Sequence, residues 1–170
     1  AFCYNTKIAS SLGFIQGWET RGEIKYLAQY KKEIVTQFLP NKEIREGAEC
    51  LFGKYRAEGY FIIGVHMRKG DYKTFLNGKY FFSIEKYKEF MFQLKNLYCD
   101  KKVCFYISTN ERYQKNDFAD FLIMEPSMQN AAYDLYALGR CDRIIGPIST
   151  FSRWASFVGN VPLCFLRRNM

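Results

Sequence analysis

From Gly59 onward, short apolar runs alternate with amphipathic segments, and this alternation restricts the fold more than any other feature of the chain. The runs at 60–66, 103–108, 121–124, 143–146 and 161–166 have the length and the aromatic or β-branched content of buried strands. Between them, 84–98 sets Tyr87, Phe90, Met91, Leu94 and Leu97 on one side of a helix that Ser83 can cap. Segments 130–141 and 150–158 read as further helices, and Asn77-Gly78 as a turn. Strand, helix, strand with short connections implies a parallel sheet covered on both faces, so the expected class is α/β with a Rossmann-like sheet over 59–170. Residues 1–58 are expected to form a helical N-terminal segment. Its helices would be 23–39, stopped by Pro40, and 41–57, with Asn41 as N-cap and Gly59 beyond its end. The 170 residues suffice for one domain with a real core. The missing initiator Met and the weak periodicity of the first twenty residues fit a piece of a longer protein.

In such a sheet the loops leaving the carboxyl ends of the strands share one rim. That rim would gather 66–72, 108–111 and 146–152. The first stretch, His66-Met67-Arg68-Lys69-Gly70-Asp71-Tyr72, follows the apolar Phe61-Ile62-Ile63 and holds the only histidine of the chain. A guanidinium there can grip a diphosphate through two donors and cannot lose its charge. The alternative is a capped strand end in which Arg68 and Asp71 pair with each other. In the third stretch, Gly146-Pro147-Ile148-Ser149-Thr150 opens a helix whose free N–H groups and hydroxyls suit phosphate. The alternative there is that Ser149 or Thr150 serves only as the helix cap. Trp154 and Phe157 read as core. No Walker-type loop and no GxGxxG follow the first strand, which disfavours an NTP hydrolase or a dinucleotide dehydrogenase.

A net charge of +8 favours anionic partners. No helix-turn-helix, zinc or RNP-like pattern accompanies it, so nucleic acid is not expected. Arg167-Arg168 would allow peripheral contact with a membrane. The six cysteines show no CxxC spacing, and Cys50, Cys104 and Cys164 read as buried thiols, so neither a disulfide framework nor a metal site is expected. With no glycosylation sequon, long apolar run or signal-peptide pattern, a cytoplasmic setting is expected.

Two blocks carry a family resemblance. His66-Met67-Arg68-Lys69-Gly70-Asp71-Tyr72 resembles the His-x-Arg-x-Gly-Asp-Tyr motif of the alpha-1,2-fucosyltransferases, a shorter form of which recurs in alpha-1,6- and protein O-fucosyltransferases. Asp134-Leu135-Tyr136, through Cys141-Asp142-Arg143-Ile144-Ile145-Gly146, to Ser149-Thr150-Phe151-Ser152-Arg153-Trp154-Ala155-Ser156-Phe157, is similar to a second block of that family. The resemblance covers about 59–166, with a weak echo at Phe14-Ile15-Gln16-Gly17-Trp18.

The resemblance implies the donor-binding half of a GT-B glycosyltransferase. In it Arg68 would bind the β-phosphate and neutralise departing GDP, the catalytic contribution, while His66 would help to hold the nucleotide and Asp71 would brace the loop. Asp134 would pair with the guanine edge, and Thr150 and Phe151, next to Ser149 in the anion turn, would touch phosphate and base. A carboxylate can accept from both N1–H and N2–H of guanine, which adenine lacks. Two positions depart from the pattern: Thr109-Asn110 stands where related enzymes often carry an acidic pair, and Thr150 replaces a serine. The implied reaction is metal-independent, cofactor-free, inverting transfer of fucose from GDP-fucose to a hydroxyl of an oligosaccharide or lipid-linked glycan, in alpha-1,2 linkage. The alternatives are a noncatalytic GDP-sugar- or glycan-binding domain, or a fragment of a larger fucosyltransferase. Asp71 and Glu111 are the carboxylates expected on the rim; neither is assigned as a base.

Overall fold

The apolar runs pair side by side as parallel strands. In the computed structural model, which describes residues 28–128 and 130–167, β1 (Tyr60–Met67), β2 (Lys102–Thr109), β3 (Arg143–Gly146) and β4 (Leu163–Phe165) lie in the order β2-β1-β3-β4. Tyr60 stands opposite Lys102 and Met67 opposite Thr109, while Val65 faces Ile145 on the other side. The chain leaves β1 toward one edge to form β2 and returns past it to form β3, so the sheet has its topological switch point beside β1, where ligand crevices open in sheets of this kind.

Two compact units divide the chain, Ala1–Phe38 and Leu39–Met170. In the first, α1 (Lys31–Gln37) buries none of its residues. Residues 23–27 of the 23–39 helix expectation, the Phe14–Trp18 echo and Arg168 fall outside the described residues, and Phe38 and Leu39 lie past the end of α1. The second unit holds the sheet.

Its helices are α2 (Lys42–Ala57), α3 (Ile84–Leu97), α4 (Ala131–Leu138) and α5 (Thr150–Gly159). Each starts behind a polar residue whose side chain satisfies one otherwise orphaned backbone N–H. Asn41 accepts from Ile44, Ser83 from Lys86, Asn130 from Tyr133 and Ser149 from Phe151.

The period-two alternation of the strands sorts the core into two layers. Ile62, Cys104, Tyr106 and Ile144 pack with Ile44, Ala48 and Phe52 of α2, Tyr133 and Leu138 of α4, and Ala155 of α5. Ile63, Val65, Met67, Phe105, Ile107 and Ile145 face the other way, against Tyr87 and Met91 of α3 and against Phe118 and Phe121. The fold is therefore α/β and Rossmann-like, with a parallel sheet between two layers.

Several boundaries differ from the sequence reading. The apolar face of α2, which precedes residue 58, is buried against the sheet. Segment 121–124 forms no strand: Ile123 makes one bridge to Phe105, and Pro126, with no N–H, cannot extend the ladder. For the same reason β4 begins only at Leu163, after Pro162, whose carbonyl still accepts from Ile144 N–H at 2.9 Å. Cys104 is buried as expected, but Cys50 and Cys164 are exposed, one on the outer side of α2 and the other on the edge strand. The Asn77-Gly78 turn is tighter than a plain reversal: Leu76, Asn77 and Gly78 all take positive φ, at 48, 55 and 70°.

At their C-terminal ends α4 and α5 meet through glycines. A Cβ on Gly159 would overlap the carbonyl of Gly139, and one on Gly139 would come within 3.2 Å of the Ala155 carbonyl. Absence of side chains lets the two backbones touch there. No helix among the described residues is long and apolar enough to cross a membrane.

Candidate functional site

His66 is the penultimate residue of β1 and sits among apolar groups, 3% exposed. Its ring lies 5.1 Å from that of Phe151, at 35°, and its Nδ1 has no hydrogen-bond partner. The neighbouring strand supplies Gly146 at this level because any Cβ there would fall 2.9 Å from the His66 carbonyl oxygen. Burial, aided by the nearby Arg68 charge, pushes the imidazole down from 6.5 to about 4. The ring is therefore neutral at physiological pH and offers one donor and one acceptor.

A stability prediction follows from the sign of that shift. The unfolded chain takes up the proton first as pH falls, so the His66 contribution is complete above 6.5 and is lost as pH drops toward 4. The expected loss is about 3 kcal/mol. His66→Gln should flatten this part of the profile, shrinking the difference in urea-unfolding free energy between neutral pH and pH near 4 by that amount; an unchanged difference would exclude a neutral buried His66.

After β1 the chain turns through Arg68 and Asp71, which pair in a fork. Arg68 Nε lies 2.9 Å from Asp71 Oδ1, and Nη2 donates to Oδ2 at 3.0 Å. The capped-strand-end alternative is thus realised, yet it uses only two of the five guanidinium N–H groups and leaves three. Asp71 acts on the arginine by fixing its plane. Asn110 stitches the loop after β2 to this one: it accepts from Lys69 N–H at 2.9 Å and donates to Asp71 Oδ1 at 3.3 Å. Glu111 adds ion pairs to Lys73 (2.8 Å) and Lys69 (3.5 Å). The hydrogen bond from Lys73, and then the two lysine charges, hold its carboxyl below the usual range, which disfavours a role as proton acceptor. Tyr72 donates to the Ile148 carbonyl at 2.9 Å, joining the loop after β1 to the turn before α5.

Asp134 lies in the first turn of α4. Its Oδ1 accepts from the Tyr106 hydroxyl at 2.6 Å and its Oδ2 from the Ser108 hydroxyl at 3.0 Å. Burial raises the carboxyl above the ordinary range, and the two hydroxyl donors oppose that rise.

Ser149 is the cap of α5, its Oγ accepting from Phe151 N–H at 3.2 Å. That N–H is therefore taken by the cap, as the cap alternative has it, while the Ser149 O–H keeps its donor and Thr150 is exposed at the first helical position.

These elements enclose a cleft of about 690 Å³. His66 lines it from β1 and Arg68 from the loop after it, Ser108 to Tyr113 from the end of β2, Asn130 from the cap of α4, Ala131 and Asp134 from α4, and Phe151 from α5. The fold thus brings His66, Arg68, Asp134 and Phe151 together, while Asp71, Ser149 and Thr150 stand outside the lining. Sequence reasoning did not single out Tyr106, Asn130 or Arg112. For Tyr106 a signal exists: positions 104, 106 and 108 share one face of β2, so the two hydroxyls must point to the same side.

No known family profile matches the chain, and no curated protein sequence does so either. Among solved structures, similar folds include fucosyltransferase NodZ from Bradyrhizobium, at 25% sequence identity and TM-score 0.47, covering 68% of this chain and 41% of that one. NodZ alpha-1,6-fucosyltransferase soaked with GDP-fucose gives 24% and 0.48, covering 72% and 44%. POFUT1 in complex with GDP gives 14% and 0.46, covering 71% and 46%. The chain spans less than half the length of each.

Proposed function

We propose that this chain provides the donor-binding part of a fucosyltransferase of GT-B type and takes part in inverting transfer of fucose from GDP-fucose to a glycan hydroxyl, in alpha-1,2 linkage. The observation that carries the reading is the convergence of Arg68 and Asp134, one from each of the two resembling blocks, on a single cleft at the carboxyl ends of the strands. A diphosphate would meet the three free N–H groups of Arg68, guanine would meet the Asp134 carboxylate, and the base would lie against Phe151. His66, neutral, would add a hydrogen bond without adding charge.

Breaking the glycosidic bond builds negative charge on GDP and positive charge on the sugar. Arg68 acts on the former, so its stabilisation grows as the bond breaks and lowers the barrier. In this reading the charge on the leaving group is met by arginine rather than by a metal ion, and the start of α5 adds a smaller favourable potential.

Titration calorimetry on the intact chain tests the donor site: GDP is expected to bind, and ADP to bind at least tenfold more weakly, since adenine has no N1–H or 2-amino donor for Asp134. Equal affinities would overturn the guanine assignment. A second reading, a noncatalytic GDP-sugar-binding domain, is favoured by one observation: Asp71, Glu111 and Asp134 are each already hydrogen-bonded or ion-paired. Tight GDP binding without donor hydrolysis or transfer would decide for that reading.

A further inference from the structure

The carboxylate of Asp134 is held in a manner that the two motif blocks do not account for. Tyr106 and Ser108 lie outside both blocks, two residues apart on one face of β2, and each hydroxyl donates to a different oxygen of the same carboxylate. Tyr106 is fully buried and Ser108 is 3% exposed. Burial first, and then the Asp134 charge, drives the Tyr106 phenol far up, so it remains a donor. Each carboxylate oxygen has two acceptor positions; one on each is filled from the sheet, leaving one on each.

We infer that Tyr106 and Ser108 are positioning residues that orient the Asp134 carboxylate and keep it ionised, so that its remaining acceptors receive two parallel N–H groups of a purine base. The inference rests on the proposed donor reading, in which Asp134 meets guanine. Its physical content is the competition at Asp134. Burial favours the protonated acid, which would present an O–H donor to a base edge that also carries donors. The two hydroxyls stabilise the charged form and so preserve an all-acceptor surface. A similar pair of donors on the base side then completes the shell of a partly buried carboxylate.

The other groups near Asp134 do not substitute for this pair. From β1 neutral His66 and from the loop after it the Asp71-paired Arg68 line the cleft; from the end of β2 come Glu111, paired to lysines, and Arg112. Phe151 of α5 carries no charge. On α2, Glu49 engages Tyr136, further along α4, and Arg140, just beyond its end.

The test uses GDP and IDP, whose bases differ by the 2-amino group, titrated calorimetrically over a pH series into the intact chain and into Tyr106→Phe and Ser108→Ala. Wild type should prefer GDP on the order of tenfold, with affinity lost as acid protonates Asp134. In Tyr106→Phe, GDP affinity should fall on the order of tenfold or more, the preference over IDP should collapse toward unity, and the acid midpoint should move to higher pH. The sign follows because removing a donor to the carboxylate raises its pKa. An equal loss for GDP and IDP with an unmoved midpoint would reduce Tyr106 to packing and overturn the inference, as would unchanged binding. Ser108→Ala, which removes no ring from the core, gives the same readout should Tyr106→Phe lose its thermal transition. Wild type without any preference for GDP over IDP would instead overturn the donor reading itself.

Discussion

Arg68→Ala is expected to lower fucosyl transfer on the order of 100-fold or more while the protein remains folded. The side chain is part-exposed and lies outside both apolar layers, so its loss removes no core contact. On the proposed donor reading, what disappears is a preorganised positive group at the place where charge would develop on the departing diphosphate. Because that interaction strengthens in the transition state, the effect should fall mainly on kcat, with a smaller weakening of GDP binding. Arg68→Lys should recover little. A lysine ammonium cannot hold both Asp71 oxygens in a planar fork and present further donors on its other side. Steady-state kinetics with GDP-fucose, alongside GDP titration, separates the two contributions. Transfer by Arg68→Ala at near-normal kcat would remove Arg68 from the catalytic role.

The largest stability effect is expected at the far end of the same two helices. Gly159→Ala should destabilise the unit by about 3 kcal/mol, seen as a lower urea midpoint at unchanged slope. The new methyl would occupy the position of the Gly139 carbonyl, which is backbone and cannot rotate away, so α4 and α5 must separate. Asp134 and Phe151 sit in the first turns of those helices. The variant should therefore also weaken GDP binding although the substitution is remote from the cleft. An alanine accepted with no change in midpoint would show that the helices part there at no cost.

Much of this architecture could be read from local pattern. The segment 143–146, with Ile144 and Ile145, sits between the helix expected over 130–141, which ends at Leu138, and a Pro-containing turn, and forms β3 over those residues. Asn41, Ser83, Asn130 and Ser149 each mark a helix start because an orphaned N–H needs a short polar acceptor. What local pattern could not supply is pairing between distant positions. Arg68 and Asp71, three apart, could be foreseen as partners; Tyr106 and Asp134 could not, since their 2.6 Å contact depends on how α4 lies across β2. A tyrosine in an apolar strand reads as core, and by burial it is core; only its hydroxyl belongs to the site. The membership of α2 was hidden for a related reason. Its apolar stripe demands a partner but does not say which, and the partner proves to be the layer of Ile62 and Tyr106. Segment 121–124 misled because its apolar content serves side-chain packing while its backbone makes only one bridge.

The hydrogen bond from Tyr72 to the Ile148 carbonyl bears on how a ligand is received rather than on what is received. It fixes the spacing between the loop that carries Arg68 and the turn that opens α5 before any nucleotide arrives. Asn110 does the same between the loops after β1 and β2. Association therefore orders little additional backbone, and the conformational entropy commonly lost when mobile loops close has been spent during folding.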